Sequence, residues 1–451
     1  MTSLWFESAL LPHGWANHVR ITAANGRIER VTADVDPNDT DERLDVGIPG
    51  VPNLHSHAFQ RGIAGLTERR GLEGDSFWTW RELMYQFVER ISPDEMEAIA
   101  SFAYAQMLES GFTQVGEFHY LHHDRGGVPF ADPGELAGRL AAAAVNTGIG
   151  LTLLPTLYAH SGFGGLEPGK RQRRFICNRD QFAAIVDASR KVVNTLPGGV
   201  VGVAPHSLRA VTPEELAWLV ELSAGSVIHI HIAEQTKEVD DCIAWSGRRP
   251  VEWLLEHTAV DERWCLVHAT HVTDAEMQAV AASGAVVGLC PITEANLGDG
   301  IFPAAAFLGH SGRIGIGSDS NVLIDAAEEF RVLEYSQRLA HRGRNVLASG
   351  AGKSTGRTLF SRALAGGSRV LESAPGLVAG AFLDVVSLNT REPELVQRGQ
   401  DDLLDSWIFS GGRGLVDCVW RAGEKVVSNG RHRHRDQIVA RYRRALKSLL
   451  S

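Results

Sequence analysis

Between about residues 48 and 370, short β-branched apolar runs alternate with amphipathic stretches long enough for helices, and this alternation restricts the fold more than any other feature. Eight runs can be counted: IPGVPNL (48–54), TQVGEF (113–118), GLTLLPTLY (150–158), VVGVAPHS (200–207), VIHIHIAE (227–234), WCLVHA (264–269), AVVGLCPI (285–292) and RIGIGSD (313–319). Several stretches between them, such as SPDEMEAIASFAYAQMLESG and TDAEMQAVAASG, open on Ser, Thr or Asp followed by Glu, an N-cap signature. Eight strand–helix units predict an α/β fold, a (β/α)8 barrel. A doubly wound open sheet is the alternative, but neither G-x-G-x-x-G nor G-x-x-x-x-G-K-[ST] stands in any strand–helix turn.

The barrel is expected over residues 48–374. Residues 1–47 and 375–430 carry short alternating strands with Asn-Gly turn signals, so both chain ends are expected to build one small β-sandwich domain. Residues 431–451 hold seven Lys/Arg against one acid and place Ile438, Tyr442, Ala445, Leu446 and Leu449 on one helical face. A docking helix is the plain reading, a nucleic-acid or membrane contact the other. His432 and His434, in that basic tail, are expected to face solvent. A net charge of −10 argues against a general polyanion binder. Five cysteines without a C-x-x-C, no signal-like N-terminus and no apolar stretch long enough to span a bilayer point to a soluble cytoplasmic protein.

Most of the runs end on polar or ionisable residues, and a barrel gathers its strand ends on one face. Random placement of 18 histidines among 451 residues gives about 0.7 H-x-H triplets, so the three found are weak signals singly. His55 and His57 follow the first run, where alternation aims both imidazoles at one locus. With His231 and a carboxylate they make a plausible zinc site with a position left for water. The other member of the second triplet, His229, can serve packing instead. Asp319 ends the eighth run, which in a closed barrel adjoins the first. His268 ends the sixth.

This constellation, H-x-H after strand one, H-x-x-E after strand five (His231, Glu234), His268 after strand six and Asp319 after strand eight, resembles the metal-dependent deaminase branch of the amidohydrolase superfamily. The segments NLHSHAFQRGIAGLTERR, DSFWTWRELMYQF, APHSLRAVTPEEL, HIHIAEQTKEVDDC and LCPITEANLGDGIF are similar to those of its formimidoylglutamate deiminases, iminohydrolases of histidine degradation. The resemblance implies one divalent metal, zinc by preference, on His55, His57, His231 and Asp319, with Glu234, His268 and Asp319 catalytic. It implies that Arg81 and Arg209 bind the carboxylates of N-formimino-L-glutamate, with Gln60, Tyr120 and His206 as further polar contacts, and that the protein is a homodimer. Arg81 is expected in the long loop after strand one. The Arg/Lys-bearing loop 161–175 is expected to steer an anion or to lie in solvent.

Two other readings stay open. Deamination of a purine, pyrimidine or pterin ring would use the same metal chemistry, with aromatic stacking from Trp78 and Trp80 in place of arginine pairing. A non-catalytic metal-binding barrel would be expected to lack Glu234, His268 or Asp319, and all three are present.

Overall fold

The computed structural model describes residues 2–71 and 75–451. Its strands are β1 (Thr2–Leu11), β2 (Gly14–Ala24), β3 (Arg27–Thr32), β4 (Glu42–Pro49), β5 (Val51–Ser56), β6 (Phe112–His119), β7 (Gly150–Leu157), β8 (Val200–Val201), β9 (Ala204–Pro205), β10 (Ile228–Ile232), β11 (Trp264–His268), β12 (Val286–Leu289), β13 (Arg313–Ile316), β14 (Val385–Leu388), β15 (Val416–Arg421), β16 (Glu424–Ser428) and β17 (Arg431–His432). All eight runs read from the sequence contain strand.

Strands β5 to β13 form a parallel sheet in the order β10-β11-β12-β13-β5-β6-β7-β8, with β9 pairing β7. Bridges from Val203 to Ile228 and from Ser207 to His231 join its two ends, so the sheet closes into a barrel. The fourth run is split into β8 and β9, and the split places Ser207 opposite His231. Ile316 pairs with Asn53 and Ser56 bridges Asp319, which sets the eighth strand beside the first. Leu54 packs inward with Cys265, Val267, Val370 and Leu371. Gly315 makes room for it, because a Cβ there would stand 2.2 Å from Leu54 Cδ2.

The helices begin where local chemistry dictates. In α2 (Pro93–Glu109) the Ser92 hydroxyl accepts from Glu95 N while Glu95 Oε2 accepts from Ser92 N at 2.9 Å, satisfying two otherwise orphaned donors. Thr212/Glu215 and Thr273/Glu276 cap two further helices in the same way.

A second sheet uses both chain ends, in the order β17-β16-β15-β14-β4-β1-β2-β3. It is mixed: β1 and β4 run parallel, and β14 lies antiparallel on β4. Leu4, Phe6, Val19 and Ile21 from one end bury against Leu383, Val385 and Trp420 from the other, giving this sheet its own core.

The terminal helix, Arg435–Leu450, packs on α2 through buried Ile438, Ala445 and Leu449, with Tyr442 stacked on Phe102 at 4.0 Å. His432 departs from the expectation of a solvent-facing side chain. It is 2% exposed and its Nε2 lies 2.8 Å from Thr147 O, because β17 carries it beneath the barrel helices. His434 is exposed as expected.

Candidate active site

Parallel pairing makes the C-terminal ends of the barrel strands a shared rim, and the sequence-predicted residues meet there. Asp319 N donates to His55 O at 3.0 Å and His57 N donates to Asp319 O at 2.9 Å, so backbone bonds lock the H-x-H turn to the aspartate. His55 Nε2 is 3.2 Å from His57 Nε2 and 3.0 Å from His231 Nε2. Asp319 Oδ1 lies 3.3 Å from His57 Nε2 and 3.5 Å from His55 Nε2. All four side chains are buried, and their ligand atoms lie within 4.8 Å of one another. His229 takes no part: it shares the inward face of β10 with His231 but lies one step deeper, where its Nε2 faces Val370 O at 2.9 Å.

Second-layer bonds decide what this cluster can hold. His57 Nδ1 donates to Phe118 O at 2.9 Å and His231 Nδ1 to His206 O at 3.0 Å, which leaves both Nε2 lone pairs bare. Bare lone pairs this close repel, and one proton on His55 could bridge only one of the contacts. Burial lowers the pKa of all three imidazoles, that of His55 to about 3, so they are neutral donors. Burial opposes ionisation of Asp319, but its bond to His55 and the surrounding imidazoles hold the carboxyl well below the usual range. Three neutral nitrogens and one carboxylate oxygen fit a divalent metal ion.

Beside this set, His268 Nε2 lies 3.8 Å from both Glu234 Oε1 and Asp319 Oδ2, while its Nδ1 is 3.2 Å from Glu294 Oε1. Glu294 is fixed in turn by Cys290 N, which donates to it at 2.8 Å. Burial works against a charge on His268, yet Glu234, Glu294 and Asp319 together raise its pKa to about 10. Burial pushes Glu234 up to about 7, against the pull of His268. A proton donor and a carboxyl poised near neutrality thus border one cavity, the arrangement general acid–base chemistry requires. His268 and Asp319 hold positive φ, 69° and 43°, a backbone region that costs non-glycine residues of order 1–3 kcal/mol each.

Gln60, Arg81, Tyr120, His206 and Arg209 all line one cavity beside Glu234, His268 and Asp319. Gln60 Nε2 donates to Tyr120 Oη at 3.0 Å. Arg81 is not in a loop: it lies in helix α1 (Phe77–Val88), where Ser76 and Thr79 cap the first turn. Trp78 and Trp80 belong to the same helix. Neither Arg81 nor Arg209 has an ion-pair partner among the described residues, and the Nε of each is buried without a hydrogen bond. Loop 161–175 divides its charges: Arg171 pairs with Glu82, whereas Arg174 is fully buried and donates to the carbonyls of His123 and Val88.

Tyr85 and Tyr158 line the cavity without an assignment from sequence pattern, and Glu294, expected on the rim as a polar residue just beyond the seventh run, had no role assigned to it. Tyr85 had a usable signal, since it stands one helical turn beyond Arg81. Tyr158 follows an ordinary strand end, and the contact of Glu294 with His268 comes only with the closed barrel.

A (β/α)8 barrel whose C-terminal mouth carries a buried cluster of three histidines and an aspartate able to hold a metal, with titratable groups beside it, has the makeup of a metal-dependent barrel hydrolase. Comparison with known proteins narrows this class. Residues 46–351 match the amidohydrolase family, and residues 1–45 match the N-terminal domain of formimidoylglutamate deiminase HutF. The chain belongs to the amidohydrolase family. It is 49% identical over 453 residues to a formimidoylglutamate deiminase of Pseudomonas aeruginosa, with both chains covered in full. It superposes on a crystal structure of an amidohydrolase from Brucella melitensis with a TM-score of 0.97 at 53% identity, again over both whole chains. A zinc-bound adenosine deaminase from Xanthomonas campestris shares the fold, with a TM-score of 0.82 at 20% identity over 100% of this chain and 98% of that one.

Proposed function

We infer that the protein hydrolyses N-formimino-L-glutamate to N-formyl-L-glutamate and ammonia, an iminohydrolase step of histidine degradation. The observation that carries this reading is the pair of guanidiniums, Arg81 and Arg209, lining the cavity with no carboxylate partner among the described residues. Arginine pairs with carboxylates through two parallel hydrogen bonds, and a dicarboxylate offers one group to each. The full-length similarity to a formimidoylglutamate deiminase and the match over residues 1–45 support the same substrate.

His55, His57, His231 and Asp319 would hold one divalent ion, and zinc suits a set of three imidazoles and a carboxylate best. Bound there, such an ion supplies Lewis acidity and makes water nucleophilic at neutral pH. The chain's own groups do the rest. Asp319 takes a proton from the attacking water and relays it toward the departing nitrogen. His268 Nε2 donates a hydrogen bond to the oxygen as it adds to the amidine carbon. Glu234 passes protons to the imino nitrogen, so that the carbon–nitrogen bond breaks and ammonia leaves. Gln60, Tyr120 and His206 orient the substrate beside the two arginines.

Residues 48–374 form the catalytic unit in this reading, with 1–47 and 375–430 as a small domain and 431–451 as a docking helix. A homodimer comes from the family resemblance, and a cytoplasmic location suits five buried, unpaired cysteines. Among the described residues no helix is long and apolar enough to cross a membrane. The test is ammonia release from N-formimino-L-glutamate, N-formimino-L-aspartate, adenosine, guanine and cytosine. N-formimino-L-glutamate is expected to be turned over fastest. Faster turnover of a ring substrate would replace this reading with ring deamination.

A further inference from the structure

No carboxylate among the described residues stands within ion-pair range of the cavity's arginines, although the charges of Glu238 and Glu234 reach Arg209, and both guanidiniums lie over one indole. The ring centroid of Trp78 lies 4.5 Å from Arg81 Cζ, 5.6 Å from Arg209 Cζ and 5.9 Å from Lys237 Nζ. Arg81 comes from the same helix three residues on, Arg209 from the turn after β9 and Lys237 from the helix Thr236–Ser246. Three elements thus bring cations to a single ring. Lys237 keeps Asp241 at 2.6 Å on the outer side, whereas the two arginines have no counter-charge in ion-pair range among the described residues. Their mutual repulsion is opposed only in part by the longer-range pull of Glu238 and Glu234 on Arg209. The negative face of an indole attracts a cation more strongly than any other aromatic side chain does, and most strongly where water is excluded.

We propose that Trp78 is a specificity-determining residue, a platform that sets the separation of Arg81 and Arg209 and so matches the cavity to a dicarboxylate of glutarate length. The proposal rests on the reading of both arginines as partners of the substrate carboxylates. Trp78 is not among the residues lining the cavity, so it acts through the arginines as a positioning residue. Its effect falls on substrate binding and leaves the chemical step alone, which separates it from Glu234 or His268.

The experiment compares Trp78→Phe, Trp78→Met and Trp78→Ala in the metal-loaded enzyme. It measures kcat and KM on N-formimino-L-glutamate, and calorimetric affinities for glutarate and for butyrate. Phe retains a negative ring face and is expected to stay within about threefold of wild type in KM. Met fills space without such a face. Met and Ala are expected to raise KM and to weaken glutarate binding by about tenfold or more, with kcat within about threefold. Butyrate, with one carboxylate, should weaken less than glutarate. A Trp78→Met variant with wild-type KM and glutarate affinity would reduce Trp78 to packing and overturn the proposal, as would a loss confined to kcat. A wild type that fails to release ammonia from N-formimino-L-glutamate would overturn the proposed function instead. Glutarate binding would then still test Trp78.

Discussion

His268 stands where three carboxylates converge, on a backbone bent to positive φ, and its two ring nitrogens have different duties. Nδ1 is tied to Glu294 and Nε2 faces the cavity between Glu234 and Asp319. Because neither His268 nor Glu234 is among the four clustered ligand groups, their loss should spare metal content. Glu234→Gln and His268→Asn are expected to keep one metal per chain while kcat falls by about 10²-fold or more, checked by metal analysis beside steady-state kinetics. His55→Ala and His231→Ala should instead bind well below one metal per chain. The arginines differ again. Removing one guanidinium from a desolvated carboxylate pair strands the other charge, at a cost of about 2–5 kcal/mol. Arg209→Met and Arg81→Met are therefore expected to lose at least about 30-fold in kcat/KM with metal retained. Near-normal kcat/KM in both would remove the dicarboxylate pocket.

At the scale of elements, the C-terminal helix reaches the site through Arg61. Tyr442 Oη donates to Arg61 O at 3.3 Å, and Arg61 Nη1 donates at 2.8 Å to the carbonyls of Asn321 and Val322, just beyond Asp319. The helix thus backs the turns that carry His57 and Asp319. Fully burying an aliphatic side chain stabilises by about 1.5–3 kcal/mol, so deleting residues 435–451 is expected to lower the melting temperature sharply. Tyr442→Phe, which loses one hydrogen bond, should cost only about 0.5–1.5 kcal/mol. The strand β17 adds a pH response. Burial lowers the pKa of His432 to about 4, as it does for His122 and His229. Between pH 6.5 and about 4 the unfolded chain binds protons that the folded one does not, so stability falls on acidification. His432→Gln should show a shallower fall in melting temperature from pH 7 to pH 5. The elements were legible in the sequence because alternation and capping pairs are local signals, as Ser92/Glu95 and the runs ending in His57 and His231 illustrate. The place of Arg81 was not, since the tryptophan-rich stretch after strand one reads equally as loop or helix until it packs. The burial of His432 and the contact of Glu294 with His268 depend on pairings hundreds or tens of residues apart, which no local pattern encodes.

For the molecule as a whole, the four proposed ligands come from the first and fifth strands and the turn after the eighth, so a bound ion would tie distant parts of the barrel together. A ligand held at a thousandfold excess over its dissociation constant adds about 4 kcal/mol to stability. Chelation is expected to lower the melting temperature by several degrees and to abolish ammonia release, both restored by added zinc. An unchanged melting temperature would mean that the cluster holds no metal tightly. The second sheet has a different consequence, one that concerns the chain as it is made. Strand β4 is complete at residue 49, but β14, which pairs with it, begins at residue 385. At 5–20 residues per second a ribosome needs roughly 20–70 s to deliver the partner. Throughout that interval the edge of β4 has no native neighbour while the barrel strands are still emerging. An unpaired edge of this kind invites pairing with other chains. Translation that stalls before β14 therefore leaves a nascent chain that is sticky at its N-terminal end, and rapid completion of the last 70 residues protects the first 50.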